Sequence, residues 1–149
     1  MRALASAGAG FLLCVLWFDL MFDVQARRHP DQDVSENIRA SIAAYYARVT
    51  TAARPMNRLI AAAMLTTIAA IAAELVRDEL PAWRAVAALA LTLGAVGLAA
   101  GRTVANAQRL GRRADDAAQQ SRLARMILRD HVLCFGAIAV VLVLQLAPV

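Results

Sequence analysis

Leu16-Trp17-Phe18-Asp19-Leu20-Met21-Phe22-Asp23-Val24-Gln25 closes the first strongly apolar stretch of the chain. Two aspartates stand four residues apart in it, so on a helix they share one face. Aromatic and aliphatic side chains surround both. An ionised carboxylate in hydrocarbon is costly, so each needs a partner, a proton, a metal or water. The stretch therefore sets two questions: what kind of bundle contains it, and what answers its carboxylates.

Composition answers the first. Of 149 residues, 60% are hydrophobic and the mean hydropathy is +0.55, above the range of soluble domains. The net charge is +5, and lysine is absent, so every basic residue is arginine. In a chain this apolar, such charge marks cytoplasmic segments and contact with anionic lipid headgroups rather than nucleic acid. Cys14 and Cys134 both lie in apolar stretches without a C-x-x-C pair, which leaves thiol redox chemistry and a cysteine zinc site without support.

Working outward, the first span covers about 6–25, near the twenty residues a bilayer needs. Trp-Phe-Asp follows its apolar run where a signal peptidase site would need small residues. Phe11-Leu12-Leu13 is too bulky for a lipoprotein site before Cys14. A retained span is expected. Arg27, Arg28 and Pro30 end it. Further spans are expected at about 55–75, 82–101 and 130–147. In the third, Ala90, Gly94, Gly97 and Gly101 recur at helical spacings, a pattern that allows close packing between helices of one chain.

The polar segments between spans are also patterned. Asp33 with Glu36 reads as a helix cap and its capping box. Val34, Ile38, Ile42, Tyr45 and Val49 then form one apolar stripe. This predicts an amphipathic helix over about 34–52, on the interface or folded against the bundle, with Tyr45 and Tyr46 at the interface level. Between about 102 and 129, Gly111 and Asp115-Asp116 predict a turn and a new helix start, hence a helical hairpin. The expected fold is all-α: a single polytopic membrane four-helix bundle with cytoplasmic helical extensions.

Arginine counts orient it. The segment after span one has five, the segment after span three seven, and the link between spans two and three two, counting Arg84 at the head of span three. The positive-inside rule places those two long segments in the cytoplasm and both termini outside, as for a bacterial-type inner-membrane protein.

The polar groups of all four spans then gather at the cytoplasmic end. Asp19 lies about 12 Å along the helix from Arg27, inside the hydrocarbon, whereas Asp23 is one turn from that arginine. Asp19 is the candidate catalytic residue. Asp23, Arg58, Arg102 and His131 are the candidate binding residues, with Trp17 or Phe22 as walls. In a structural reading, Arg58, Arg102 and Arg129 hold the carboxylates through bidentate contacts, and the protein is an interaction or binding module. Alternatively, Asp19, Asp23, Asp130 and His131 form an enzyme pocket or a metal or lipid site. His29 is a weaker ligand. A small proton-coupled transporter is a third reading, needing a path to Glu74 and Gln145. Metal and cofactor content stay open, and a homo-oligomer or a membrane-protein partner fits any of these.

The chain shares with anthrone-oxygenase-like small membrane proteins its length, its four spans and an Arg-rich lead into the last span. That likeness assigns no residue. The Asn-x-x-Glu signature of membrane glutathione-transferase-like proteins is missing from span two, as is the cysteine pair of quinone-linked thiol reductases.

Overall fold

Alanine and leucine dominate the apolar stretches, and both favour helix. With no water in a bilayer core, a helix is also the way for one segment to satisfy its own backbone. The computed structural model describes residues 1–27, 32–52 and 54–148, and no strand occurs among them. Six α-helices carry the fold: α1 (Arg2–Asp23), α2 (Glu36–Ala47), α3 (Arg54–Val76), α4 (Ala82–Leu98), α5 (Val104–Arg112) and α6 (Ala117–Leu146). A 3-10 turn, Val24–Arg27, extends α1. A π turn, Arg48–Ala52, follows α2, and another, Ala99–Thr103, joins α4 to α5. Arg28, His29 and Pro30 lie outside the described residues.

Four helical stretches are long and apolar enough to cross a membrane: Arg2–Arg27, Pro55–Val76, Ala82–Arg112 and Ala117–Leu146. They form a closed ring in which α1 packs on α3 and α6, and α4 packs on α3 and α6. The core between them is made of small and branched residues, among them Ala9, Leu12, Ile71, Ala88, Ile138 and Val141. Large apolar side chains such as Trp17, Leu65 and Val143 point outward, as lipid-facing residues do.

Close helix approach has a specific origin at α1 and α3. A Cβ on Gly8 would overlap Thr67 Oγ1 and lie 3.2 Å from Thr67 Cβ. Gly8→Ala is expected to lower stability by about 1–3 kcal/mol, and adding Thr67→Ala should restore most of it. Thermal unfolding of the single and double variants checks this. The expected packing role of the Gly97-x-x-x-Gly101 pair is not realised. Ala90, Gly94, Gly97 and Gly101 are exposed on one outward face, and a Cβ on any of the three glycines would meet nothing within 4 Å.

Beyond the ring, α2, α5 and the first half of α6 form a second core with Val34, Ile42, Tyr46, Leu110, Leu123 and Ile127. The predicted stripe of α2 faces this core, so the helix folds against the bundle. Its start differs from expectation: Ser35 is the cap and makes no side-chain cap bond, and the helix begins at Glu36, so Asp33 with Glu36 forms no capping box. Ser121 supplies order instead, its Oγ accepting from Val34 N–H at 3.0 Å.

The hairpin turn also lies elsewhere than Gly111. That glycine is helical, and Arg113 takes the left-handed conformation at φ 53°, ψ 31°. The reason for Gly111 is contact: a Cβ there would lie 2.8 Å from Ala47 N and 3.1 Å from Ala47 Cα. Asp116 caps α6 by accepting from Gln119 N–H at 2.7 Å, as its position predicts.

Candidate functional site

The site lies where the two cores meet. It is built by the last turn of α1, the C-terminal half of α2 and the middle of α6. On α1, Asp19 and Asp23 face the same way because they are one turn apart. On α2, the adjacent Tyr45 and Tyr46 reach one carboxylate each. Tyr45 donates to Asp19 Oδ1 at 2.6 Å, and Tyr46 donates to Asp23 Oδ1 at 2.7 Å. Burial, reinforced by the neighbouring aspartates, pushes both tyrosine hydroxyls far above their ordinary pKa, so both stay protonated donors. From α6, His131 Nδ1 lies 2.6 Å from Asp23 Oδ2. Its Nε2 faces Asp19 Oδ2 across 3.9 Å, too far for a direct hydrogen bond.

The two aspartates are therefore unequal, in the opposite sense from what their neighbours suggest. Asp23 is fully buried and has a donor on each oxygen. Arg27, one turn away, is exposed. In the neutral imidazole with its proton on Nδ1, that proton goes to Asp23 and Nε2 is left as an acceptor. Asp19 has one oxygen engaged by Tyr45 and the other open toward Nε2.

Among the described residues, no arginine answers either carboxylate. Arg58 is exposed and makes no ion pair among the described residues, and Arg129 is exposed as well. Arg102 turns instead to Asp130, with Nε 2.9 Å from Oδ2 and Nη2 on Oδ1. Thr103 Oγ1 adds a third bond to Asp130 at 3.2 Å. Both Arg102 and Thr103 sit in the π turn Ala99–Thr103, a local widening of the helix that is common at functional sites. Asp130 is thus neutralised by its own arginine and stands apart from Asp19.

The residues expected as walls are sorted likewise. Trp17 is exposed and tilts against Phe135 at 6.3 Å between ring centroids. Phe22 stacks on Tyr45 at 4.1 Å and 10°, which fixes the tyrosine that holds Asp19. Phe18, between them, lines a cavity of about 600 Å³.

That cavity is the main feature of the site, and its size is that of a small-molecule pocket. Helix direction sorts its lining. Toward α2 it is polar, with Asp19, Tyr45, Asn57, Thr103, Gln108 and His131. Seven or eight residues further along the helices, about 10 Å away, it is apolar, with Leu12, Met64, Ala95 and Ile138. Among the described residues, its lining contains no arginine. Phe18, Met56 and Val104 line it and are exposed, so the cavity is not sealed within the bundle.

Among the described residues, no group of three His, Cys, Asp or Glu side chains is arranged to hold a metal ion. Asp23 and His131 already face each other at hydrogen-bond distance. At the opposite end of the bundle Gln145 Nε2 donates to the buried Glu74 at 2.8 Å. The buried Thr67 and Thr92 direct their hydroxyls to carbonyls of their own helices, Ala63 and Ala88.

Fold and site together define an all-helical, multi-pass type of protein with a polar-headed, apolar-floored pocket among its helices. The chain matches no protein-family model, no curated protein and no solved structure. Its function is argued from the pocket.

The tyrosines were the functional residues least evident from sequence. Tyr45 belongs to the apolar stripe of α2, which already turns it toward the bundle. Tyr46 follows it directly, about 100° round α2, and reaches Asp23, which lies one turn along α1 from Asp19. Pairing these two sets was the available signal.

Proposed function

We propose that this chain is a membrane-embedded binding protein for a membrane-soluble amphiphile. Its pocket takes the apolar body between α1, α3, α4 and α6, and Asp19, Tyr45 and His131 receive the polar head. One observation carries this reading: a cavity of about 600 Å³ whose lining changes from polar to apolar along the helices. Amphiphiles have that same polarity. The bordering exposed residues supply a route from the bilayer, which water-soluble ligands would not need.

The reading places the protein in an inner membrane of bacterial type. The arginine-rich α2–α5 end lies in the cytoplasm, both termini lie outside, and the outward arginines rest on anionic headgroups. Alkaline phosphatase fused at the carboxyl end is then expected to be active and a fluorescent protein there dark. The reverse pattern overturns the orientation.

Asp19→Asn tests the assignment of the head group site. It keeps shape and removes charge. Because Asp19 is only partly engaged, the thermal midpoint is expected to hold or rise, while affinity for the amphiphile falls by at least about tenfold. A midpoint lowered by several degrees with unchanged binding assigns Asp19 to structure instead.

A second reading, a membrane-embedded enzyme, has its own support in the Asp23–His131 contact of 2.6 Å. A carboxylate on Nδ1 orients an imidazole whose Nε2 can accept a proton. The structure of the bound head would decide what proton is within reach.

A further inference from the structure

We infer that the head of the amphiphile is cationic, an amine or ammonium group. This rests on the pocket reading above and names the ligand class of that site. Four observations meet here. First, the charged side chains facing the polar end are Asp19 and His131, with Asp23 directly behind them, and among the described residues the lining includes no arginine. The chain has no lysine. Asp130, the nearest further carboxylate in sequence, is paired with Arg102. At the polar end two carboxylates meet a single imidazole, so what charge the site carries comes mainly from carboxylates. An anionic head would face that charge with no counter-group.

Second, the hydrogen-bonding roles are acceptors. Tyr46 and His131 Nδ1 both address Asp23, so the Nδ1 proton is committed there. In the neutral imidazole that leaves His131 Nε2 as an acceptor. Asp19 Oδ2 is an acceptor as well, and the two stand 3.9 Å apart. A nitrogen placed about 2.8 Å from each spans that gap with two N–H donors. A single hydroxyl has one proton and would leave one acceptor unanswered.

Third, the His131 side chain is nine-tenths buried, yet Nε2 makes no hydrogen bond within the described protein. The Nε2 atom itself is not shut away, so it is open to a ligand from the cavity. It is directed at the cavity wall that Asp19 shares. Fourth, Phe18, Tyr45 and Tyr46 also line this region, and aromatic rings attract cations in desolvated sites. In an arginine-rich protein, a carboxylate-headed pocket with no arginine among its described lining residues and an apolar floor is a site for a lipophilic cation.

The test uses three probes with the same eight-carbon body: octylamine, octanol and octanoate. Binding is measured calorimetrically to the full chain in phosphatidylcholine nanodiscs, with empty nanodiscs subtracted. Octylamine is expected to bind at least about tenfold more tightly than octanol, and octanoate more weakly than either. In Asp19→Asn the preference for amine over alcohol should shrink to within about threefold, and Asp19→Glu, which keeps the charge, should retain it. The order of the three probes is read on the unaltered chain, so it decides the matter even if a variant fails to fold. Octanol or octanoate binding as tightly as octylamine overturns the cationic head and leaves the pocket standing. Binding of none of the three overturns the pocket reading along with it.

Discussion

His131→Ala is expected to destabilise the protein by about 3 kcal/mol, at the top of the range for leaving a buried hydrogen-bonding group without its partner. At this chain length that is a fall in thermal midpoint of about 6–12 °C. The argument rests on Asp23. Its carboxylate is fully buried and is held by two donors, Tyr46 at 2.7 Å and His131 at 2.6 Å. Removing the imidazole leaves one oxygen of a buried anion without a donor, which costs more than the lost contact itself. Adding Asp23→Asn to His131→Ala removes the stranded charge. The double variant is therefore expected to be more stable than His131→Ala alone, a non-additivity that a double-mutant cycle measures. If the two losses simply add, Asp23 and His131 do not depend on each other and the site's foundation is misassigned.

Gly111→Val is the second large effect. The glycine sits in α5, away from the pocket, and a Cβ there would lie 2.8 Å from the backbone nitrogen of Ala47. A side-chain obstacle could rotate away, but a helix backbone cannot. A loss of about 3 kcal/mol is expected, at the top of the usual overpacking range. There is also a consequence at a distance. Ala47 follows Tyr46, so pushing α5 away from α2 shifts the two tyrosines relative to α1. The Tyr45–Asp19 and Tyr46–Asp23 bonds should weaken together, and pocket binding should fall with stability. Gly97→Val is the matched control: nothing lies within 4 Å of a Cβ at that position, and a change within about 0.5 kcal/mol is expected. Thermal unfolding of both variants in one lipid composition makes the comparison.

These two cases show what the amino-acid order discloses and what it does not. Long apolar runs with few charges require helices of membrane length, so the four long helices were readable from windows alone. The stripe from Val34 to Val49 has one periodicity, and burial of Val34 and Ile42 follows from it. Asp116 marks the start of α6 because a short acceptor side chain suits a free helix end. All of these are local patterns.

What sequence did not disclose depends on how helices rotate about their own axes. Arginine forks suit carboxylates, which made Arg58, Arg102 and Arg129 the natural partners of Asp19 and Asp23. Their rotation turns Arg58 and Arg129 outward and carries Arg102 to Asp130. The π turns Arg48–Ala52 and Ala99–Thr103 add to the difficulty, because an extra residue in a turn offsets every face that follows. Gly111 and Gly97 look alike in sequence, yet only Gly111 has a neighbouring backbone. Arg113, rather than a glycine, takes the left-handed turn position.

Photo-crosslinking tests the pocket most directly. An octyl amphiphile carrying a diazirine at its apolar end is added to the protein in bilayers and irradiated, and labelled residues are located by peptide mass spectrometry. A head held at Asp19 and His131 places the reactive end against the apolar floor, so labels are predicted on Leu12, Met64 and Ile138 and should fade in Asp19→Asn. Labels confined to outward-facing residues such as Leu65 and Val143, and unchanged by Asp19→Asn, would contradict the account.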